Sequence, residues 1–338
     1  MNFLARLDDL TVLRISGEDA ADFLHNQLSN DINGMGADDA RLAAYCNPKG
    51  RMLASLVVWR ETTAAGSPLL ALAKADVVEP LIKRLRMFVL RAKANFEVTT
   101  LKAYGESLTA PSAATRTTVE ASAAAAGDHV SEAALRPAPG ASWQVQRDGS
   151  LTRISAPVAA GGLQRWWLIA QEDSDIAALA SQLGLPSRET SDAWQKQDIE
   201  AGLGWVEQAN VEMFIPQSLN YDLIGGVSFT KGCYPGQEVV ARAHFRGAVK
   251  RRGMPGHCQA EANTSLHAGM DIFDARRPRS PAGRIVSAAP AADPQGIVWH
   301  LFMEISLADI GQADFRALSP DGPAIHLLPP PYPLESDE

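Results

Sequence analysis

Leu10–Ile15 alternates apolar and polar side chains, a period of two that predicts a half-buried strand. Ser16 then precedes a stretch in which Phe23, Leu24 and Leu28 fall on one face of a helix. Arg41–Cys46 and Met52–Trp59 predict two strands joined across Asn47-Pro48-Lys49-Gly50, a hairpin turn signature. Leu69–Ala73 adds another strand. Asp76 is placed to cap a helix whose Val78, Leu81, Leu85, Phe88 and Val89 recur at helical spacing. Asn95–Leu101 returns as a strand. The order strand, helix, strands, helix, strand is that of a ferredoxin-like, split βαβ unit.

Residues 106–142, rich in Ala, Ser, Thr and Pro and including the run Ala123–Ala126, break the pattern and read as a surface connection. Strands resume around Trp143–Val145 and Trp166–Ala170, the Trp166-Trp167 pair with one ring inward and one at the surface. Helices follow near Asp173–Leu183 and Asp192–Ala201, completing a second α+β half. Beyond Arg252, strands at Asp271–Phe273, Arg284–Ser287, Ile297–Ile305 and Ala324–Leu328 lie between Gly/Pro turns, as in a small β-barrel. The tail Pro329-Pro330-Pro331-Tyr332-Pro333 is expected to leave the fold in an extended form. These patterns predict an α+β region over residues 1–245 and a barrel over 246–330.

At 338 residues the chain is too long for one small core. No apolar run reaches the roughly 18–20 residues that span a bilayer, so no membrane partner is expected. The opening MNFLARLDDLTVLRISG has no apolar h-region and does not read as a signal peptide. The three cysteines, Cys46, Cys233 and Cys258, are too scattered for a disulfide framework, so a cytoplasmic protein is expected. A net charge of −8 disfavours broad binding to a phosphate backbone. No P-loop, GxGxxG, HExxH or GxSxG occurs. His257, Cys258 and His267 make no zinc set, since adjacent residues point apart on an extended chain, and no metal is expected.

The densest constellation is Lys231-Gly232-Cys233-Tyr234-Pro235-Gly236-Gln237-Glu238. Pro235 suits the first turn of a helix, with Glu238 in the same turn and Val239, Val240 and Ala243 on its apolar side. Cys233 is then placed just outside a helix N-terminus, two residues from Lys231, and both features favour thiolate over thiol. Gly232 and Gly236 allow tight turning or close approach to a ligand. From local chemistry alone a buried structural cysteine in a turn remains open. The run Arg242, His244, Arg246, Lys250, Arg251 and Arg252 reads as a solvated strand face, with Arg242 and Arg246 as possible contacts for an anionic partner.

KGCYPGQE resembles the KGCYxGQE signature of the YgfZ proteins, folate-binding relatives of the glycine-cleavage aminomethyltransferase. Ile199–Gly202, Phe214–Gln217, Asn220, Gly225-Gly226, Val239–Arg242, Asn47–Arg51 and Gly283–Ser287 extend the resemblance over nearly the whole chain. It implies two intertwined ferredoxin-like halves and a C-terminal barrel, arranged as a ring around a central folate cavity. The transferase relatives carry a paired aspartate in the strand after the N-terminal hairpin, where this chain has Ala54 and Ser55. Without a carboxylate there, aminomethyl transfer by the familiar mechanism is not expected. Trp194 stands where the family uses an aromatic on the cavity, with a core tryptophan as the equal alternative. Leu10 stands where some members have a second aromatic.

The resemblance further implies a monomeric tetrahydrofolate-binding accessory protein. Its partners would be folate and iron–sulfur client or assembly proteins, tRNA-modifying enzymes among the clients. Lys231 and Cys233 would be reactive, and Gly232, Tyr234, Gly236, Gln237 and Glu238 would shape the loop. The rivals are a one-carbon transferase using another acid, and a structural adaptor with a vestigial folate pocket.

Overall fold

The computed structural model describes residues 2–62, 67–109, 142–171, 174–188, 190–245, 247, 249–294 and 296–334. In chain order its elements begin with β1 (Phe3–Arg6), β2 (Leu10–Ser16), α1 (Ala20–Gln27), β3 (Ala40–Cys46), β4 (Met52–Arg60) and β5 (Leu69–Lys74). Next come α2 (Ala75–Arg86), β6 (Asn95–Val98), β7 (Lys102–Leu108), β8 (Val145–Asp148), β9 (Leu151–Ser155) and β10 (Gln164–Ala170). They are followed by α3 (Ile176–Gln182), β11 (Ser187–Arg188), α4 (Asp192–Glu200) and α5 (Gln237–Phe245). The C-terminal strands are β12 (Arg251–Ala260), β13 (Asp271–Asp274), β14 (Gly283–Asp293), β15 (Gly296–Ser306), β16 (Phe315–Ala317) and β17 (Ile325–Leu327).

Three sheets result. The first runs β3-β4-β5-β2-β6, and α2 packs on it through Val77, Val78, Leu81, Ile82 and Leu85. The second runs β11-β1-β7-β10-β9-β8. Here the N-terminal half supplies β1 and β7 to a sheet otherwise built from later strands, so the two halves interlock as expected. The third, β16-β13-β14-β15-β12-β17, is nearly closed by the bridge between Arg316 and Ala324, giving the barrel. The whole is the expected α+β arrangement of two interlocked halves and a C-terminal barrel.

The largest core lies where the first and second sheets meet α4. Trp59, Trp167, Trp194 and Trp205 are all fully buried there. Each such ring removes about 200 Å² from water, worth roughly 5 kcal/mol before ordering costs, so this cluster dominates local stability. Trp194 lies so close to β7 that a Cβ at Gly105 would come within 2.2 Å of its ring. Only glycine fits there.

Several expectations are corrected. Trp166 and Trp167 are both buried, because β10 is a central strand covered on one face by α3 and on the other by the main core. Asp76 does not cap α2; Lys74 holds the cap position, and the Asp76 carboxylate accepts from the Gln208 N–H at 2.8 Å. The helix stops at Arg86, short of Phe88 and Val89. The basic run is not one solvated strand face: Arg242 and His244 lie on α5, and Arg252, in β12, is buried. It forms a fork with Asp222 at 2.6 and 3.0 Å. The tail folds back, its Tyr332 hydroxyl donating to the Gly202 carbonyl at 2.7 Å. Ala123–Ala126 and most of the 106–142 connection lie outside the described residues.

Candidate functional site

The two motifs singled out in the sequence meet in space. Tyr234-Pro235-Gly236-Gln237 forms a turn closed by Gln237 N–H to the Tyr234 carbonyl at 3.2 Å. Proline at its second position and glycine at its third, with φ +82°, suit a type II turn. A Cβ on Gly236 would lie 2.5 Å from the Asn47 carbonyl oxygen and 2.7 Å from Gly50 Cα, so the turn sits directly on the Asn47–Gly50 hairpin. Gly50 in turn abuts Val239. Asn47 is held by its own side chain, which accepts from the N–H groups of Lys49 and Arg51 and donates to Glu212. Gln217 donates to the Val240 carbonyl at 2.7 Å and anchors α5 from beneath. The helix starts at Gln237, two residues later than expected, so Cys233 lies in irregular chain four residues upstream.

At the other end of the loop Lys231 reaches α1. Its ammonium donates to the carbonyls of His25 and Leu28, the latter at 2.7 Å, at the helix end where carbonyls lack partners. The same ammonium lies 5.0 Å from the Tyr234 ring centroid. Gly232 faces the His25 Nε2 edge, and His25 Nδ1 lies 3.2 Å from Asp31. Sequence reasoning missed His25 and Asp31, which carry no signal until the loop is folded onto α1. Burial pulls the Lys231 ammonium down to about 8, against the upward pull of Asp31 and Cys233. Competitive acylation across pH 6–10 is therefore expected to give Lys231 a midpoint near 8, about two units below an ordinary lysine. A midpoint near 10 would show that the ammonium is not desolvated in this loop.

Of the three cysteines, only Cys233 is exposed. Burial raises the Cys46 thiol to about 12 and the Cys258 thiol to about 11. Tyr234 is buried, Gln237 half-buried, and Glu238 projects into solvent beside Arg242 at 3.6 Å. Arg246 lies outside the described residues. Among those described, no cluster of His, Cys, Asp and Glu is arranged for a metal ion. Nor is any helix long and apolar enough to cross a membrane.

Leu10 and Trp194 lie in one core cluster. Gln195, next to Trp194, donates to Asp9, next to Leu10, at 3.1 Å. Asp9 and Glu207 also flank the buried Lys74 ammonium. Burial works against that charge, but the two carboxylates raise it above its ordinary value. Trp194 is 1% exposed, with the Arg165 guanidinium 4.6 Å from its ring centroid. Arg165 bonds Asp198 at 2.8 Å, and Asp198 accepts from Trp205 Nε1 at 3.1 Å. Asp198 is the acid that sequence reasoning missed. It follows Trp194 by one helical turn, a polar position on an apolar stripe, and that spacing is its signal. Ala54 and Ser55 are fully buried; Ser55 accepts from the Val206 N–H at 2.9 Å and ties β4 to the chain beyond α4.

Two interlocked α+β halves with a C-terminal barrel, carrying one exposed thiol on a loop fastened at both ends, define the class. No family model matches the chain. It is 30% identical over 348 residues to the tRNA-modifying protein YgfZ of Serratia proteamaculans (strain 568), covering 99% of this chain and 94% of that protein. It is 29% identical over 334 residues to the proteins of the same name from Shigella sonnei (strain Ss046) and Escherichia coli (strain K12 / DH10B), covering 98% of this chain and 94% of each. Among solved structures, glycine cleavage system aminomethyltransferase T from Bartonella henselae matches with a TM-score of 0.66 over 97% of this chain and 85% of that one. At 14% identity that likeness speaks for the fold alone. The chain belongs to the YgfZ family.

Proposed function

We propose that this protein binds tetrahydrofolate or a derivative and supports iron–sulfur cluster assembly or repair in client enzymes, tRNA-modifying enzymes among them. Cys233 is its reactive group, Lys231 its positioning partner, and the cytoplasm its compartment. The observation that carries the reading is the exposed Cys233 on a loop fastened to α1 through Lys231 and to the hairpin through Gly236. A thiol held in the open by so many contacts elsewhere suits a group that meets a partner. Redox exchange, sulfur handling and transient cluster ligation all use such a group.

The folate part rests on the aminomethyltransferase-like fold and on the surroundings of Trp194. Trp194 Nε1, Trp167 Nε1, Arg165 Nη2 and Gln197 Oε1 are buried without hydrogen-bond partners. Each orphaned group costs about 1–3 kcal/mol, a burden that a bound polar ligand would relieve. A tetrahydropterin accepts at its ring carbonyl and N1 and donates from its 2-amino and ring N–H groups, so it offers partners both to the three donors and to the Gln197 oxygen. Trp194 is covered by Arg165 and by β7 at Gly105, so it would meet the ligand through its unpartnered Nε1 edge, while Leu10 offers no ring. Calorimetric titration with tetrahydrofolate tests this. Trp194→Phe, which keeps an aromatic in the core, is expected to weaken binding by about two- to tenfold, a loss of roughly 0.5–1.5 kcal/mol. Equal affinities at unchanged thermal stability would return Trp194 to a purely structural role. Turnover of a folate-bound methylene group by the purified protein would favour the transferase rival instead.

A further inference from the structure

The buried stripe of α2 ends at Leu85, yet the apolar sequence runs on past the end of the helix. Met87, Phe88 and Leu90 are 66%, 46% and 88% exposed, and Val98 at the end of edge strand β6 is 51% exposed. Three of the eight large exposed hydrophobic side chains among the described residues thus follow one helix end, and Val98 lines a groove along the same helix. Two grooves flank the helix. One, of about 350 Å³, is lined by Leu53, Val77, Leu81, Met87 and Val211; the other is shallow and lined by Ile82, Phe96 and Val98.

The rim is basic although the chain carries a net charge of −8. Lys83, Arg84 and Arg86 stand in the last turn of α2, and Arg91 and Lys93 follow Leu90 in the chain. Of the nearby acids, Glu18 pairs with Lys93, Glu97 pairs with Arg14 and Glu212 accepts from Asn47, leaving Glu79. Lys83 and Arg91 enter no ion pair among the described residues.

We propose that this face docks an acidic, amphipathic segment of a partner protein. Its apolar side chains would cover Met87, Phe88 and Leu90, and its carboxylates would reach Lys83, Arg86 and Arg91. Exposed apolar surface of this extent beside a groove marks an interaction site, and an amphipathic helix is the common occupant of such grooves. Nucleic acid fits less well, because Met, Leu and Val offer no flat face for a base and Phe88 is the one exposed aromatic here. A second copy fits less well too, since a two-fold contact would set one basic rim against another. The face lies close to the candidate site. Glu212 lines the deeper groove and accepts from Asn47, whose carbonyl oxygen Gly236 packs against. A docked segment would therefore bring its protein to the neighbourhood of the Cys233 loop, whatever chemistry that thiol performs.

The test uses the full-length protein and a fluorescent synthetic helix of about eighteen residues, leucines along one face and glutamates on the other. Anisotropy is expected to show saturable binding, at least about tenfold tighter than for a scrambled peptide of the same composition. Leu90→Asp alone, and Lys83→Glu with Arg91→Glu, should each weaken it by about tenfold or more with circular dichroism unchanged. Binding untouched by both variants, or no binding at all, would overturn the proposal. So would loss through these variants of a single-stranded RNA oligonucleotide instead of the peptide. Self-association in sedimentation that Leu90→Asp abolishes would assign the face to a second copy and overturn it equally.

Discussion

Cys233→Ala is expected to abolish complementation of a deletion strain, read as the level of modified nucleosides in bulk tRNA, while Cys46→Ala and Cys258→Ala retain it. The three cysteines differ first in access: Cys233 is exposed, and the other two are buried. Burial also holds the thiols of Cys46 and Cys258 un-ionised. With thiols raised to about 12 and about 11, only about one molecule in ten thousand at Cys46, and one in a thousand at Cys258, carries a thiolate at pH 8. Iodoacetamide at that pH should therefore modify Cys233 alone in the folded protein, as peptide mass spectrometry can read. Alanine at the buried positions removes a sulfur from a packed core, about 1–2 kcal/mol of stability, without touching the loop. Lys231→Ala should lower activity by a different route, since it releases the loop from the carbonyls of His25 and Leu28. Full activity of Cys233→Ala, or alkylation no faster than at Cys258, would remove the thiol from the mechanism.

The loop itself was legible in the sequence, but its setting was not. Pro235 and Gly236 announced a turn, and a turn is what they make. The later helix start followed from their own chemistry: proline then glycine at positive φ closes a type II turn before the helix can begin. Lys231 was read beside Cys233 because only Gly232 separates them in sequence. Its hydrogen bonds instead go to α1, some two hundred residues earlier, a pairing that no local pattern encodes. Periodicity found β2, β4, β10 and β15 because each is long and apolar. It missed β1, β7 and β12. Gly105 breaks the apolar pattern of β7 to admit Trp194, and Gly253, Pro255 and Gly256 blur that of β12. It also set Trp167 beside Trp166 on opposite faces correctly, but could not know that both faces are covered.

The second large effect concerns the buried pair beneath Trp194. Arg165→Met alone and Asp198→Leu alone are each expected to cost about 3–5 kcal/mol, because each leaves a buried charge without its partner. The double variant is expected to recover most of that loss and to unfold within about 2 kcal/mol of the parent. Burial raises the Asp198 carboxyl and Arg165 only partly offsets it; burial lowers the Arg165 guanidinium and Asp198 only partly offsets that. Both shifts disfavour the charged forms, so loss of water outweighs the attraction across 2.8 Å. An acid raised in the folded state holds its proton more tightly than in the unfolded chain. Its burial therefore costs stability as pH rises through that range, and the pair at neutral pH is a burden. A pair that does not stabilise the fold calls for another reason to be there, and under the proposed folate binding the unpartnered Arg165 Nη2, held by Asp198, would supply one as a donor to the ligand. Chemical denaturation of the four proteins of the cycle measures the coupling, and tetrahydrofolate titration of the double variant measures the role. Recovered stability with binding lost by about tenfold or more would tie Arg165 and Asp198 to the ligand. A double variant as unstable as the sum of the singles would show that the two charges act independently, and the pair would then have to be read as part of the core.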